Sequence, residues 1–227
     1  MKQLLLLHGA LGAGQQLNAL KDQLSSAYQV AICEFEGHGV TASSASFSIQ
    51  QFVTNTHALL NQLDWKQPLV FGYSMGGYVA LKMESEQPGT FEQIVTLGTK
   101  FNWNEASAIK ESKMLNPAVI LEKVPKYANY LEQLHGENWQ NVLTKTASMM
   151  LEMGQNPPLT HDALARIAID VHFMRGEKDV MVDLDETRWA ANGVQHGKVI
   201  EIPEWQHPID RIPTNELVKQ LLLSLKR

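Results

Sequence analysis

The sequence has a single cysteine in 227 residues, so no disulfide can form within the chain, which suits a reducing compartment. That residue, Cys33, ends the apolar run Val30-Ala31-Ile32 and reads as a buried strand position, not a nucleophile. No paired Cys/His spacing offers a zinc site, and no metal or cofactor is expected. Basic residues are few and scattered. With 19 Lys and Arg against 24 Asp and Glu, the formal charge of −5 argues against a nucleic-acid or anionic-membrane partner. Long hydrophobic runs are also missing. Lys2 followed by Leu4 to Leu7 imitates a signal peptide, but His8-Gly9 interrupts the run, whereas a secretory core needs about 7–15 apolar residues. Nothing later approaches the ~18 continuous apolar residues of a membrane span. The expected setting is the cytoplasm.

What is present suffices for one α/β domain: 44% apolar residues, 19% charged, and a length that buries roughly 70% of the unfolded surface. Leu4–Leu7 reads as a strand running into the glycine-rich loop His8–Gly14. Gln16–Leu24 has helical spacing, with Leu17, Leu20 and Leu24 on one face. Val30–Phe35 is a second strand. Ser48 with Gln51 suggests a capping box, and Phe47 with Phe52 a hydrophobic staple, opening a helix that carries Thr56, Leu60 and Leu63. Strands at Leu69–Phe71 and Ile94–Leu97 flank a helix over Tyr78–Ser85.

From 100 to 166 no clear strand occurs. Helices are predicted over 105–115, 126–135 and 139–153, with Pro117, Pro125 and Pro157-Pro158 as breaks. Strands return at 170–174 and 198–202, and a last helix follows Pro213. The pattern predicts a mostly parallel twisted sheet with helices on both faces. Residues 1–99 and 167–227 would form the core and 100–166 a helical cap over the carboxyl ends of the strands, where open α/β sheets bind ligands.

The strongest chemical signal is Gly72-Tyr73-Ser74-Met75-Gly76-Gly77, a G-x-S-x-G turn between a strand and a helix. A serine on so sharp a turn is strained, and Gly72 and Gly76 remove side chains that would collide there. The hydroxyl then needs a base, and the base an orienting acid. Asp179 lies on the loop after the strand at 170–174, and His207 on the loop after the next one, so both can reach the top of the sheet beside Ser74. Glu177 is the second choice for the acid; Asp183 and Asp185 suit a helix start better. His57, His135, His161 and His196 fall on predicted helices or their ends, and His172 inside a strand. An oxyanion hole needs two converging backbone N–H groups, for which Met75 and Ala10 of His8-Gly9-Ala10-Leu11-Gly12 are the candidates. No G-x-x-x-x-G-K-[ST] or spaced G-x-G-x-x-G favours a nucleotide.

Together these segments resemble the α/β-hydrolase superfamily, specifically its small cap-bearing, carboxylesterase-like members. Its H-G-x-x-G loop occurs as HGALG, its D-x-x-G-H-G turn as EFEGHG, its elbow as GYSMGG, its acid segment as GEKD and its histidine loop as WQHPIDRIP. The resemblance implies Ser74, Asp179 and His207 as triad, Ala10 and Met75 as oxyanion donors, and a small-molecule substrate. Three departures stand out. Glu34 replaces the usual aspartate, which bears on turn structure. Trp205-Gln206 precedes the histidine, which predicts a stiffer loop and a smaller pocket. The leading antiparallel strands are missing. The shortened sheet is similar to that of small bacterial carboxylesterases, including the pimeloyl-ester methyl esterases, and of the menaquinone-pathway lyase. Tyr78 stands where that lyase tends to carry arginine, which weakens the lyase reading.

Aromatic and methionine residues of the insertion (Phe101, Trp103, Met114, Tyr127, Tyr130, Trp139, Met149, Met150 and Met153) are mostly expected in its core, with a minority facing a pocket for an apolar group. The expected activity is hydrolysis of a small carboxylic ester or thioester. The alternatives are C–C cleavage or elimination with the same triad, and a non-hydrolytic binding protein with a vestigial one.

Overall fold

The computed structural model describes residues 1–41, 43 and 45–226. Six strands make one sheet: β1 (Gln3–Leu7), β2 (Gln29–Cys33), β3 (Leu69–Tyr73), β4 (Gln93–Leu97), β5 (Asp170–Gly176) and β6 (His196–Ile202). Their order is β2-β1-β3-β4-β5-β6, and every pairing is parallel. The chain winds one way from β1 to β2 and the other way from β3 onward. The order therefore reverses between β1 and β3, whose carboxyl ends carry the His8–Gly14 loop and Ser74. Ligand crevices in open α/β sheets form at such a reversal.

Alternate residues of the central strands point to opposite faces, and both faces are covered. Leu5, Leu7, Val70, Ile94 and Phe173 pack with Phe52 of α2 (Ile49–Leu63) and Val79 of α3 (Met75–Glu86). Leu4, Leu6, Phe71, Val95 and Met174 pack on the other side, against Leu20 and Leu24 of α1 (Asn18–Leu24) and Leu217 and Leu221 of α10 (Thr214–Ser224). This two-sided burial explains why the strands read as continuous apolar runs without alternation.

The start of α2 differs in one detail from the sequence reading. Ser48 Oγ accepts from the Gln51 N–H at 3.0 Å, but the Gln51 side chain donates to Glu36 instead of returning to Ser48. Half of the expected capping box is therefore absent, while the Phe47–Phe52 staple is in place, with ring centroids 5.5 Å apart.

Between β4 and β5 run α4 (Glu105–Lys113), α5 (Pro117–Lys123), α6 (Pro125–His135), α7 (Trp139–Gln155) and α8 (His161–Leu164). Here Pro117 and Pro125 are not breaks. Each opens a helix, because a first-turn N–H has no helical acceptor to lose and the fixed φ suits that position. Leu115, Ile120, Leu131, Trp139, Leu143 and Met150 give this block a small core of its own. Ala163 and Leu164 of α8 join the main core instead. After β5, α9 (Leu184–Gly193) is capped by Asp183, whose carboxylate accepts from the Glu186 N–H at 2.7 Å. His196 begins β6 and does not end a helix. No described helix is long and apolar enough to cross a membrane.

Candidate active site

Ser74 stands between β3 and α3 with φ 50° and ψ −115°, a conformation an L-residue holds only when its surroundings impose it. Its N–H donates to Leu97 O at 2.8 Å, and its carbonyl accepts from Thr99 Oγ1 at 2.9 Å. The flanking glycines are steric requirements. A Cβ on Gly72 would lie 2.4 Å from Gly77 N, and one on Gly76 2.4 Å from Leu7 O. The turn thus presses β3, β1 and the start of α3 together and leaves Oγ in the crevice.

His207 comes from the loop after β6. Its Nε2 lies 3.4 Å from Ser74 Oγ, and its Nδ1 2.8 Å from Asp179 Oδ2. A carboxylate only accepts, so Nδ1 carries the proton toward Asp179 and Nε2 is left to accept from the serine hydroxyl. Asp179 is 5% exposed. Burial alone would raise its carboxyl, but the hydrogen bond and charge of His207, with the Val182 and Met181 N–H groups at 2.9 and 2.8 Å, hold it below the ordinary carboxylate range. Arg175 braces the loop by donating to Asp179 O and Val182 O. Glu177 accepts from the Glu204 N–H at 3.3 Å, whereas the only carboxylate hydrogen-bonded to His207 among the described residues is that of Asp179.

The two backbone amides singled out in the sequence, Ala10 N–H and Met75 N–H, both belong to residues lining the same cavity. Neither meets an acceptor among the described residues. Met75 is the first residue of α3, so the positive end of that helix adds to its N–H. The His8–Gly14 loop is fixed from several sides. His8 Nδ1 donates to Gly9 O at 2.9 Å and Nε2 accepts from Phe35 N–H at 3.2 Å. Glu34 accepts from Gly14 N–H at 2.9 Å, a tie between two loops that fits its expected role in turn structure. His135, at the end of α6, accepts from Gly39 N–H at Nδ1 and donates from Nε2 to Leu11 O, each at 3.0 Å.

Three contributors to the site carried no motif signal. Tyr73, an unspecified position of G-x-S-x-G, donates its hydroxyl to His207 O at 3.0 Å and accepts from Ile209 N–H at 3.3 Å. Gly98, with φ 61°, lies under the Asp179–His207 pair. A Cβ there would sit 3.2 Å from both Asp179 Oδ2 and His207 Nδ1. Arg175 is the third; its ties become visible only once the acid loop is folded.

Above Ser74 and His207 lies a cavity of about 330 Å³ between the sheet and the α4–α7 block. All of the aromatic and methionine residues named in the insertion line it, except Phe101 and Trp139. Five of the nine (Phe101, Trp139, Met149, Met150 and Met153) are buried in a core, as expected of the majority, but the expectation that only a minority would face a pocket is wrong. Met149, Met150 and Met153 are buried and line the cavity at once, because α7 turns one face toward it. The expected narrowing by Trp205 is also not found. Its ring is buried with Ile209, Ile212 and Leu217, away from the cavity wall, and its Nε1 donates to Glu216 at 3.3 Å. Tyr78 reaches the cavity wall, and its hydroxyl accepts from Leu159 N–H at 3.0 Å. Three charged residues, Lys100, Glu111 and Asp210, complete the wall.

A family model described as serine aminopeptidase, S33, matches residues 1–210. Among curated relatives, the magnesium-chelatase 30 kDa subunit of Rhodobacter capsulatus is 31% identical over 87 residues, covering 37% of this chain and 31% of that protein. The chain spans well under half the length of the curated relatives it matches, between 31% and 43%. Among solved structures, a thermophilic esterase from Thermogutta terrifontis superposes with a TM-score of 0.77 at 17% identity, over 99% of this chain and 89% of that one. NosK from Streptomyces actuosus superposes with a TM-score of 0.80 at 18% identity, over 97% and 96%. At these identities the structural matches speak for the fold.

Proposed function

The chain belongs to the serine aminopeptidase S33 family of the α/β-hydrolase superfamily, an enzyme of hydrolase type, and from that premise we propose that it cleaves a small carboxylic ester or thioester through an acyl-enzyme on Ser74. The observation that carries this reading is the continuous chain Ser74 Oγ, His207 Nε2, His207 Nδ1, Asp179 Oδ2, at 3.4 and 2.8 Å, opening into the apolar cavity. The 3.4 Å link is long for a hydrogen bond, as such links commonly are before substrate binds.

Ser74 Oγ attacks the substrate carbonyl carbon while its proton passes to His207 Nε2. Asp179 keeps the imidazole in the required tautomer and stabilises the imidazolium. Negative charge on the carbonyl oxygen is met by the Ala10 and Met75 N–H groups, each worth roughly 10²–10³ in rate by analogy with other oxyanion holes. Collapse of the tetrahedral intermediate expels the alcohol or thiol, protonated by His207. Water, deprotonated by the same imidazole, then attacks the acyl carbon and releases the acid and free Ser74. Residues 100–166 act as the cap that shapes the acyl or alkyl pocket, and their methionines accommodate varied apolar groups. The proposed steps call for no metal or cofactor. A cytoplasmic setting is part of the proposal, supported by a single buried cysteine.

The test is covalent. A fluorophosphonate should add at Ser74 alone, and Ser74→Ala should lose at least ~10³-fold in kcat on any ester or thioester that the native protein turns over. An adduct on a different serine, or a fully active mutant, would refute the mechanism.

A further inference from the structure

Glu111 is a buried charge that the reaction above does not use. It lies on α4, 4% exposed, in the wall of the cavity that holds Ser74 and His207. Its Oε1 faces Lys100 Nζ at 3.8 Å, beyond hydrogen-bond length, and its Oε2 meets no donor among the described residues. Buried carboxylates are costly unless hydrogen-bonded, and neighbouring Glu186 shows the usual solution. That side chain accepts from Phe101 N–H and Asn102 N–H at 2.7 Å each and from Asp183 N–H at 3.0 Å. Glu111 has nothing comparable.

The surroundings restrict what could complete it. Lys100 is already committed, donating to Met181 O at 3.2 Å and facing Glu186 as well as Glu111 at 3.8 Å. The open valence is therefore an acceptor with a cation beside it. A second ammonium at Glu111 would be repelled by Lys100, whereas a neutral donor would not. The adjoining wall, Leu115, Met149, Met150 and Met153, offers only apolar contact.

We propose that the Glu111 carboxylate, neither of whose oxygens is hydrogen-bonded among the described residues, anchors an uncharged hydrogen-bond donor, a hydroxyl or amide N–H, carried on the otherwise apolar chain of the substrate. This rests on the hydrolase reading of the site and adds a selectivity rule to it. A buried acceptor left unpaired penalises a substrate lacking the donor far more than an apolar wall penalises a missing methylene.

The experiment uses calorimetry on Ser74→Ala, which binds without turnover, with matched methyl esters of four to eight acyl carbons that end in methyl, hydroxyl or ammonium. The expected result is that a hydroxyl-ended ester of one length binds about tenfold or more tighter than its methyl-ended match. In Ser74→Ala/Glu111→Leu that ratio falls to about one, and in Ser74→Ala/Glu111→Gln, which keeps an acceptor oxygen, it falls less. Circular-dichroism melts establish that each variant is folded. The inference is overturned if hydroxyl-ended esters never bind tighter, if the preference survives in the leucine variant, or if the ammonium-ended ester binds best. Hydrolysis and Ser74 phosphonylation are followed separately in the native enzyme. Their complete absence would remove the hydrolytic reading, while the binding ratio still decides the role of Glu111.

Discussion

The hydroxyl of Tyr73 is hydrogen-bonded to the main-chain carbonyl of His207 at 3.0 Å, so the residue before Ser74 holds the loop that carries His207. Tyr73 is 8% exposed, and burial pushes its phenol well above the ordinary range, which keeps the proton available for donation. Tyr73→Phe leaves His207 C=O and the buried Ile209 N–H without this partner, a cost of about 1–3 kcal/mol. The expected outcome is a lower Tm and about a tenfold loss in the rate of Ser74 phosphonylation, with the serine still reactive. Equal phosphonylation rates in mutant and native protein would count against a positioning role.

Asp179→Asn is expected to lower kcat by up to ~10⁴-fold while the protein stays folded, since the amide no longer selects the required imidazole tautomer. The substitution also has a pH signature in stability. The carboxyl is held below its ordinary value in the folded protein, so its contribution is complete above the unfolded pKa near ~3.9 and is lost as pH falls through the folded value. Urea unfolding at a series of pH values should therefore show the mutant deficit largest above about pH 4 and shrinking below it. A deficit independent of pH between 2.5 and 6 would refute the assignment. If Glu177→Gln proves crippling and Asp179→Asn silent, the acid is Glu177.

Met114 lines the cavity while remaining 55% exposed, which places it at the rim and makes it a safe position for a larger side chain. Met114→Trp is expected to steepen the fall of kcat/KM with acyl length, costing octanoyl esters roughly tenfold more than acetyl esters, about 1.4 kcal/mol. A p-nitrophenyl ester series measures this. An identical length profile would exclude Met114 from acyl selection.

His135 sits buried between two loops, and burial lowers its pKa. A histidine buried neutral binds its proton more readily in the unfolded chain, so its contribution to stability is complete above about pH 6.5 and declines as pH falls below that. His135→Gln should remove part of the pH dependence of Tm between about pH 5 and 7. A mutant with the native slope would show that other groups, His38 foremost, carry it.

Much of this architecture can be read from the chain because both faces of the sheet are covered. Leu4–Leu7 and Leu69–Phe71 are apolar at every position and mark the strands directly. Gly72 and Gly76 mark the elbow because backbone contacts near 2.4 Å admit no other residue. Fine contacts are less legible. Pro117 and Pro125 read as breaks because proline ends helices as well as beginning them. The methionines of α7 read as core, which they are, but their second role as cavity wall is hidden because a helix face toward a cavity has the same period as one toward a core. Tyr73 and Gly98 act through partners more than seventy residues away in sequence, which no local pattern records.

The clasp made by His135 has a thermodynamic consequence. It joins α6 to the carbonyl of Leu11, one residue beyond Ala10. If movement of α6 alters how well the Ala10 amide receives an anion, then an anion held there must resist movement of α6 by the same free energy. Tetrahedral adducts such as boronates should therefore slow amide hydrogen exchange in Pro125–His135, including the turn at its His135 end that lies beyond the cavity-lining Tyr127 and Tyr130. Movement of α6 and charge stabilisation at Ala10 would then be one equilibrium observed from two ends.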